Sequence, residues 1–393
     1  HVGRGVSHLA RPVRGGPLNP VLERLEPSLL RAVHQRKRPG DVDLGLGEPV
    51  LPVDLEAFEV GLRWVPDHGC PYSPNTGFTE LREAIAAHYA YPGLERVENV
   101  CVTVGSEEGI YLALRAALDP ARDALLVVEP AYPVYGKIGI MEGFRVHTVA
   151  MEASRGFAPD AVRVLEAIQP DTRALLLCSP SNPTGRIWPR GEILLLARGL
   201  LARPGPPITV ICDEVCRELY YTESPPMSMA TVYPHTWVVN SLSKSHAVTG
   251  LRVGFMMAPA EVIAPVNKMH HLILTSPGTL DQRVGLEMFR RPATFSAHRP
   301  IYLRHRVALM EALAAQGLTF VAPDGAFYAL VQLEGLSATD SVTTAFRLID
   351  EAHIAMVPGF AFGACAEGWL RVSWVAQPQV VREGLERLVR WMR

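Results

Sequence analysis

The chain has 393 residues, of which 48% are hydrophobic and 20% charged, and its formal net charge is −2. That length is more than one hydrophobic core serves, so two domains are expected, and so even a charge balance argues against nucleic-acid binding. The richest apolar stretch, 193–212, is broken by Arg198, Arg203 and three prolines, so no run reaches the roughly 18 residues that suggest a membrane span.

Residues 1–45 are rich in Pro, Gly and Arg and predict an arm followed by a helix at 21–35. Leu81, Ile85, Ala86 and Tyr89 share one stripe of a helix over 79–91. A strand over 100–104 leads through Gly105 into a helix over 106–117. The runs 124–128, 174–178, 209–212, 236–239 and 253–257 are nearly all apolar, as in strands covered on both faces. Crossover-length segments separate most of them, which predicts an open α/β sheet. After about residue 290 the pattern changes. Helices at 298–315, 342–352 and 378–391, with strands at 327–332 and 370–374, predict a smaller α+β domain. The expected boundaries are 50–288 for the large domain, and 1–49 with 289–393 for the small one.

Six cysteines, Cys70, Cys101, Cys178, Cys212, Cys216 and Cys365, include no C-x-x-C pair. They suit reduced thiols in a cytoplasmic protein, and no signal peptide is read at the start. The histidines lack metal-ligand spacing, so no metal is expected.

Polar residues gather just beyond the apolar runs: Glu129-Pro130-Ala131-Tyr132, Ser179 to Gly185, Asp213, and Ser241 to Lys244. Ligands of open α/β sheets bind outside the carboxyl ends of the strands, so these loops point to one shared site. Lys244 is one of only four lysines. It sits in Ser241-Leu242-Ser243-Lys244-Ser245, with Arg252 eight residues on. This grouping suits a phosphorylated aldehyde: the amine condenses with the carbonyl, while Ser241, Ser243 and the Arg252 fork hold the phosphate. Ser106 and Glu107 open a helix straight after a strand, where backbone N–H groups make a phosphate cradle. Taken singly, each segment has a plainer reading. Lys244 could lie in a surface turn, Asn182 in an Asn-Pro turn and Asp213 at a helix cap, and Tyr132 and Tyr72 could be core and loop tyrosines.

The stretch from Ser241 to Gly254 resembles the lysine signature of the class I/II aminotransferases, the fold-type I pyridoxal phosphate enzymes. Other segments agree with that family in order from about residue 44 to 375. The resemblance implies a mostly parallel sheet in the large domain, pyridoxal 5'-phosphate as cofactor, and Lys244 carrying it as a Schiff base. By the same resemblance, Asn182 in the Asn-Pro-Thr-Gly loop donates to the ring's phenolic oxygen. Asp213 pairs with the pyridine nitrogen, and Tyr132 stacks on the ring. Tyr72 reaches the phosphate of a neighbouring subunit, which implies a homodimer with shared sites. Arg371 grips the substrate α-carboxylate beside the backbone of Gly47. The implied reaction moves an amino group between an L-amino acid and a 2-oxo acid. A lyase, cyclase or oxidase using the same cofactor is the alternative, followed by a non-catalytic ligand sensor of the same fold.

One position departs from the family. Three residues after the aspartate, most members carry a tyrosine that donates to the phenolic oxygen. Here Cys216 stands there, and a thiol is a weak donor. The expected consequence is a raised pKa for the Schiff base, unless Tyr220 or Tyr221 substitutes.

Overall fold

Apolar runs become sheet where both of their faces are covered. In the computed structural model, which describes residues 19–332 and 340–393, the first strand is short: β1 (Val42–Asp43). Seven strands then form one sheet: β2 (Val100–Val104), β3 (Ala124–Glu129), β4 (Arg145–Ala150), β5 (Thr172–Cys178), β6 (Thr209–Asp213), β7 (Thr236–Ser241) and β8 (Val253–Met257). Their order is β2-β8-β7-β6-β5-β3-β4. From β7 across to β4 every pairing is parallel, while β8 runs antiparallel to both of its neighbours.

That one reversal matters for the site. The carboxyl ends of β2, β3, β5, β6 and β7 all reach the same sheet edge, and the amino end of β8 joins them. The loops after those strands and the residue just before β8, Arg252, are therefore neighbours although they lie far apart in sequence.

Residues along the strands alternate between two cores. Val102, Leu126, Leu175 and Val210 face one, and Cys101, Leu125, Val127, Leu176 and Ile211 face the other. The edge strand β4 reads Arg-Val-His-Thr-Val-Ala with mixed exposure, which is why composition alone did not mark it as a strand.

A third core gathers the C-terminal part of the chain and includes Phe327, Trp374 and Leu385. Its sheet contains β9 (Thr319–Phe320), β10 (Tyr328–Gln332), β12 (Val357–Pro358) and β13 (Trp369–Ser373) in the order β12-β13-β10-β9. Strand β11 (Ile354–Ala355) instead pairs in parallel with β1. Val33, Val42 and Leu44 pack into this third core, so the N-terminal segment is tied to the C-terminal one.

The single helix predicted over 21–35 is two helices, Pro20–Glu23 and Leu29–Arg36. Pro27 separates them, because proline lacks an N–H and disfavours helical geometry in the residue before it. Ser28 then starts the second helix, its hydroxyl accepting from the Arg31 N–H. The arm expected at the start falls largely on residues 1–18, outside the described residues. The helix expected over 342–352 narrows to Ser341–Arg347 and continues as a wider π turn, Leu348–Ala352.

Candidate active site

The converging loops enclose a cavity of ≈ 720 Å³ at the carboxyl edge of the large sheet. Lys244, Asp213, Asn182, Arg252, Tyr132 and Arg371 all line it. The segments that carry chemistry in the sequence are thus brought to one place.

Lys244 lies on the helical turn Leu242–Ser245, directly after β7. Its Nζ donates to the Gly47 carbonyl at 2.7 Å. Burial pushes its pKa below that of an ordinary lysine, against the pull of Cys216 and Glu48 and with some help from Arg371 and Arg252. An amine so placed gives up its proton more readily than a surface lysine and becomes a nucleophile or base.

Asp213 ends β6 and is buried. Burial raises its pKa, opposed by the donors that face it. The Tyr135 hydroxyl donates to Oδ2 at 2.7 Å, and the Val215 N–H donates to Oδ1 at 3.1 Å. A carboxylate held this far from water favours a cation against it. A protonated pyridine nitrogen is such a cation.

Arg371 is 1% exposed and lies in β13. Its fork is held by the Gly45 carbonyl at 2.7 Å and by Asn182 Oδ1 at 2.9 Å, leaving Nε without a hydrogen-bond partner among the described residues. Its cation stacks over the rings of Tyr328 and Phe362. This is a buried, oriented guanidinium in a cavity wall, suited to a carboxylate. Because Asn182 uses its oxygen on Arg371, its amide N–H groups remain available as donors.

The spot where the sequence suggests a phosphate cradle is shaped by two glycines. Gly105 has φ +76°, and a Cβ there would lie 2.3 Å from the Arg252 guanidinium. A Cβ on Gly254 would lie 2.4 Å from the Gly105 carbonyl carbon. Only glycine at both positions lets the start of the helix Gly105–Ala117 and Arg252 close on one spot. Ser106, Glu107 and Ser243 line the same end. Ser241 is buried just behind it, its hydroxyl accepting from the Ser243 N–H, and does not itself line the cavity.

Tyr132 lines the cavity and donates to Glu107 Oε1 at 2.6 Å, so Glu107 contributes a side chain to the site as well as backbone. Tyr72 is 85% exposed and absent from the cavity wall of its own chain.

Cys216 lines the cavity, and burial pushes its thiol up to about 12. Neither suggested substitute takes over from the family's tyrosine. The Tyr221 hydroxyl donates to the Ala326 carbonyl, and the Tyr220 ring lies beneath Arg299. Besides Tyr132, the tyrosines that reach the site are Tyr135 and Tyr328, and sequence reasoning missed both. Tyr328 stands in β10 with its hydroxyl 3.3 Å from the Gly47 carbonyl. The spacing of Tyr135, three residues after Tyr132 at a helix start, could have marked it. Tyr328 reads as an ordinary core residue. The helix Leu29–Arg36 also supplies wall residues, among them Arg31 and His34.

The donor set fits pyridoxal 5'-phosphate. It offers a buried amine, a buried carboxylate in need of a cation, an arginine beside a helix N-terminus, and a second buried arginine whose charge no carboxylate pairs among the described residues.

The aminotransferase class I and II family matches residues 70–388. Among curated relatives, the aspartate/prephenate aminotransferase of Thermus thermophilus is 35% identical over 368 residues, covering 92% of this chain and 93% of that protein. An arginine–pyruvate transaminase of Pseudomonas aeruginosa is 31% identical, covering 89% of this chain and 87% of that protein. Among solved structures, an aspartate aminotransferase double mutant from Thermus thermophilus superposes with a TM-score of 0.88 at 34% identity, covering 96% of this chain and all of that one.

Proposed function

The chain belongs to the class I and II aminotransferases, and from that membership we propose that it holds pyridoxal 5'-phosphate in the cavity at the sheet edge, with Lys244 as anchor and proton carrier. As in its family, the reaction moves an amino group between an L-amino acid and a 2-oxo acid. When bound, the cofactor supplies an electron sink for the pair left when the substrate Cα–H bond breaks.

The residues then divide the work. Asp213 would hold the ring nitrogen, with the Tyr135 hydroxyl favouring its ionised form. Tyr132 would cover the ring, and Asn182 would donate to the phenolic oxygen. Arg252, Ser243 and the backbone of Ser106 and Glu107 would hold the phosphate, with Ser241 supporting the turn. Arg371 and the Gly47 segment would orient the substrate by its α-carboxylate. The Lys244 amine, deprotonated more easily because it is buried, takes the Cα proton and later gives it back.

The single observation that carries this reading is Lys244. Its amine, with a lowered pKa, shares one cavity with the Asp213 carboxylate and the forks of Arg252 and Arg371.

The proposal includes a homodimer. Tyr72 at 85%, Leu272 at 85% and Ile273 at 49% exposure are apolar surface on adjoining segments, joined by Asn75 Nδ2 donating to the Thr275 carbonyl at 2.5 Å. A second copy covering that face would take Tyr72 to its site. No described helix is long and apolar enough to cross a membrane. The free cysteines suit a reducing compartment, and the cytoplasm is the proposed location.

The test is the visible spectrum of the purified protein before and after borohydride, followed by a panel of L-amino acids. A band near ~420 nm that borohydride fixes onto the Lys244 peptide, and that an amino acid discharges, is the expected result. A colourless protein that takes up no cofactor would refute the proposal.

A further inference from the structure

Behind the phosphate cradle lies a polar cluster that the reaction does not use. Glu108 is in the first turn of the helix Gly105–Ala117 and folds back, so that Oε2 accepts from the Val104 N–H at 2.6 Å. The contact resembles a capping box and pins the strand-to-helix turn. The other oxygen, Oε1, faces His270 Nε2 at 3.4 Å. His270 is fully buried on the helix Ala260–Leu274, and its Nδ1 lies 3.6 Å from the Cys101 sulfur.

The charges decide what the cluster does. A helix start holds an anion by its exposed N–H groups and its positive dipole end. The first turn carries two carboxylates, Glu107, which accepts from the Tyr132 hydroxyl, and Glu108, and each cancels part of that field. We propose that His270 is a positioning residue for the cofactor phosphate: as an imidazolium paired with Glu108, it neutralises that carboxylate and removes its share of the charge opposing the ligand. The inference rests on the cofactor reading above.

The hydrogen bonding agrees with a doubly protonated ring. The Cys101 thiol donates to the Val102 carbonyl, so its sulfur is free to accept from Nδ1–H. Nε2 lies within ion-pair distance of the carboxylate, at 3.4 Å, without a hydrogen bond to it. Among the described residues, neither Glu108 Oε1 nor His270 Nε2 has another partner. Burial works against the charged ring, but Cys101 and Glu108 outweigh it and carry the pKa to about 10.

The test compares full-length wild type, H270Q, E108Q and E108Q/H270Q, each stripped of cofactor and titrated with pyridoxal 5'-phosphate and, separately, with pyridoxal. H270Q leaves an uncompensated carboxylate and is expected to bind the phosphorylated form about tenfold more weakly, with pyridoxal binding unchanged. The double variant removes both charges and is expected to recover the phosphate increment. E108Q, which keeps an acceptor for the Val104 N–H, is expected to bind the phosphorylated form at least as tightly as wild type. E108Q still decides the matter if H270Q does not fold, because weaker phosphate binding there overturns the proposal. H270Q binding like wild type, losing both ligands equally, or staying weak in the double variant would each overturn it as well. A wild type that binds neither ligand would instead overturn the cofactor reading, and this inference with it.

Discussion

Replacing Tyr135 by Phe tests the electrostatics of the site at one atom. The hydroxyl donates to Asp213 Oδ2 at 2.7 Å inside a buried pocket, and the Val215 N–H to Oδ1 is the other donor. Phenylalanine keeps the ring and its packing, so the change removes one hydrogen bond to a charged acceptor. Such a bond is worth about 1.5–3 kcal/mol, and the lower end applies because the second donor remains. At about 1.4 kcal/mol per factor of ten, kcat/KM should fall roughly tenfold. The sign of the pH effect follows from the carboxylate. Burial already raises the pKa of Asp213, and the Tyr135 hydroxyl opposes that rise. Without the hydroxyl the pKa goes higher still, so a step that needs ionised Asp213 fails at a higher pH. The assay is the pH dependence of kcat/KM for variant and wild type, with thermal unfolding as a control for packing. An unchanged acid limb together with an unchanged rate would refute the reasoning. A loss accompanied by a lowered melting temperature would assign Tyr135 a packing role instead.

Three further substitutions probe other parts of the site. Arg371→Lys cannot reproduce a fork held by both Gly45 and Asn182, and KM for the amino donor should rise about a hundredfold. Comparable KM values would detach Arg371 from carboxylate recognition. Gly254→Ala would drive a Cβ into the Gly105 backbone, so cofactor retention after dialysis should be lost, and retention equal to wild type would refute the close approach. Cys216→Tyr exchanges a weak, protonated thiol for a phenol donor, so the pH midpoint of the visible cofactor band should move down. A midpoint that stays or rises would show that the residue at 216 does not reach the phenolic oxygen.

Much of the site could be read from sequence because its residues follow buried strands. A strand covered on both faces writes itself as an apolar run, and the first polar residues after it mark the ligand edge. Asp213, Lys244 and Tyr132 carry that mark, and all three line the cavity. Arg252 was found through its distance from Lys244, but the reversed direction of β8 that brings it to the edge leaves no mark in composition. Strand β4 was missed because an edge strand alternates like a surface segment. Tyr328 was missed because a buried tyrosine in an apolar strand looks the same whether its hydroxyl meets a cavity or a carbonyl. Tyr220 and Tyr221 lie near Cys216 in sequence, yet neither lines the cavity: the Tyr221 hydroxyl goes to the Ala326 carbonyl, and the Tyr220 ring lies beneath Arg299.

The same division bears on the substrate. The residues suited to the cofactor lie almost entirely at strand ends, whereas part of the opposite wall comes from the helix Leu29–Arg36. Relatives named for aspartate and prephenate and for arginine share the family with this chain, so the choice of donor rests on wall residues rather than on that frame. The charges on this wall are not equivalent. Glu107 is engaged by the Tyr132 hydroxyl and Glu48 by Thr249, and His34 faces Asp43 at 3.7 Å. Arg31 lines the cavity, and its side chain has no hydrogen bond or ion pair among the described residues. With Lys137, whose amine meets only the Glu26 carbonyl among the described residues, it is a wall cation open to an anionic side chain. Because Arg31 is exposed, water screens the attraction, and the contact is worth at most about 1 kcal/mol. Arg31→Gln should then raise KM for a dicarboxylic amino acid by about two- to fivefold and leave KM for a neutral one unchanged. An equal effect on both would mean that Arg31 shapes the wall without reading charge.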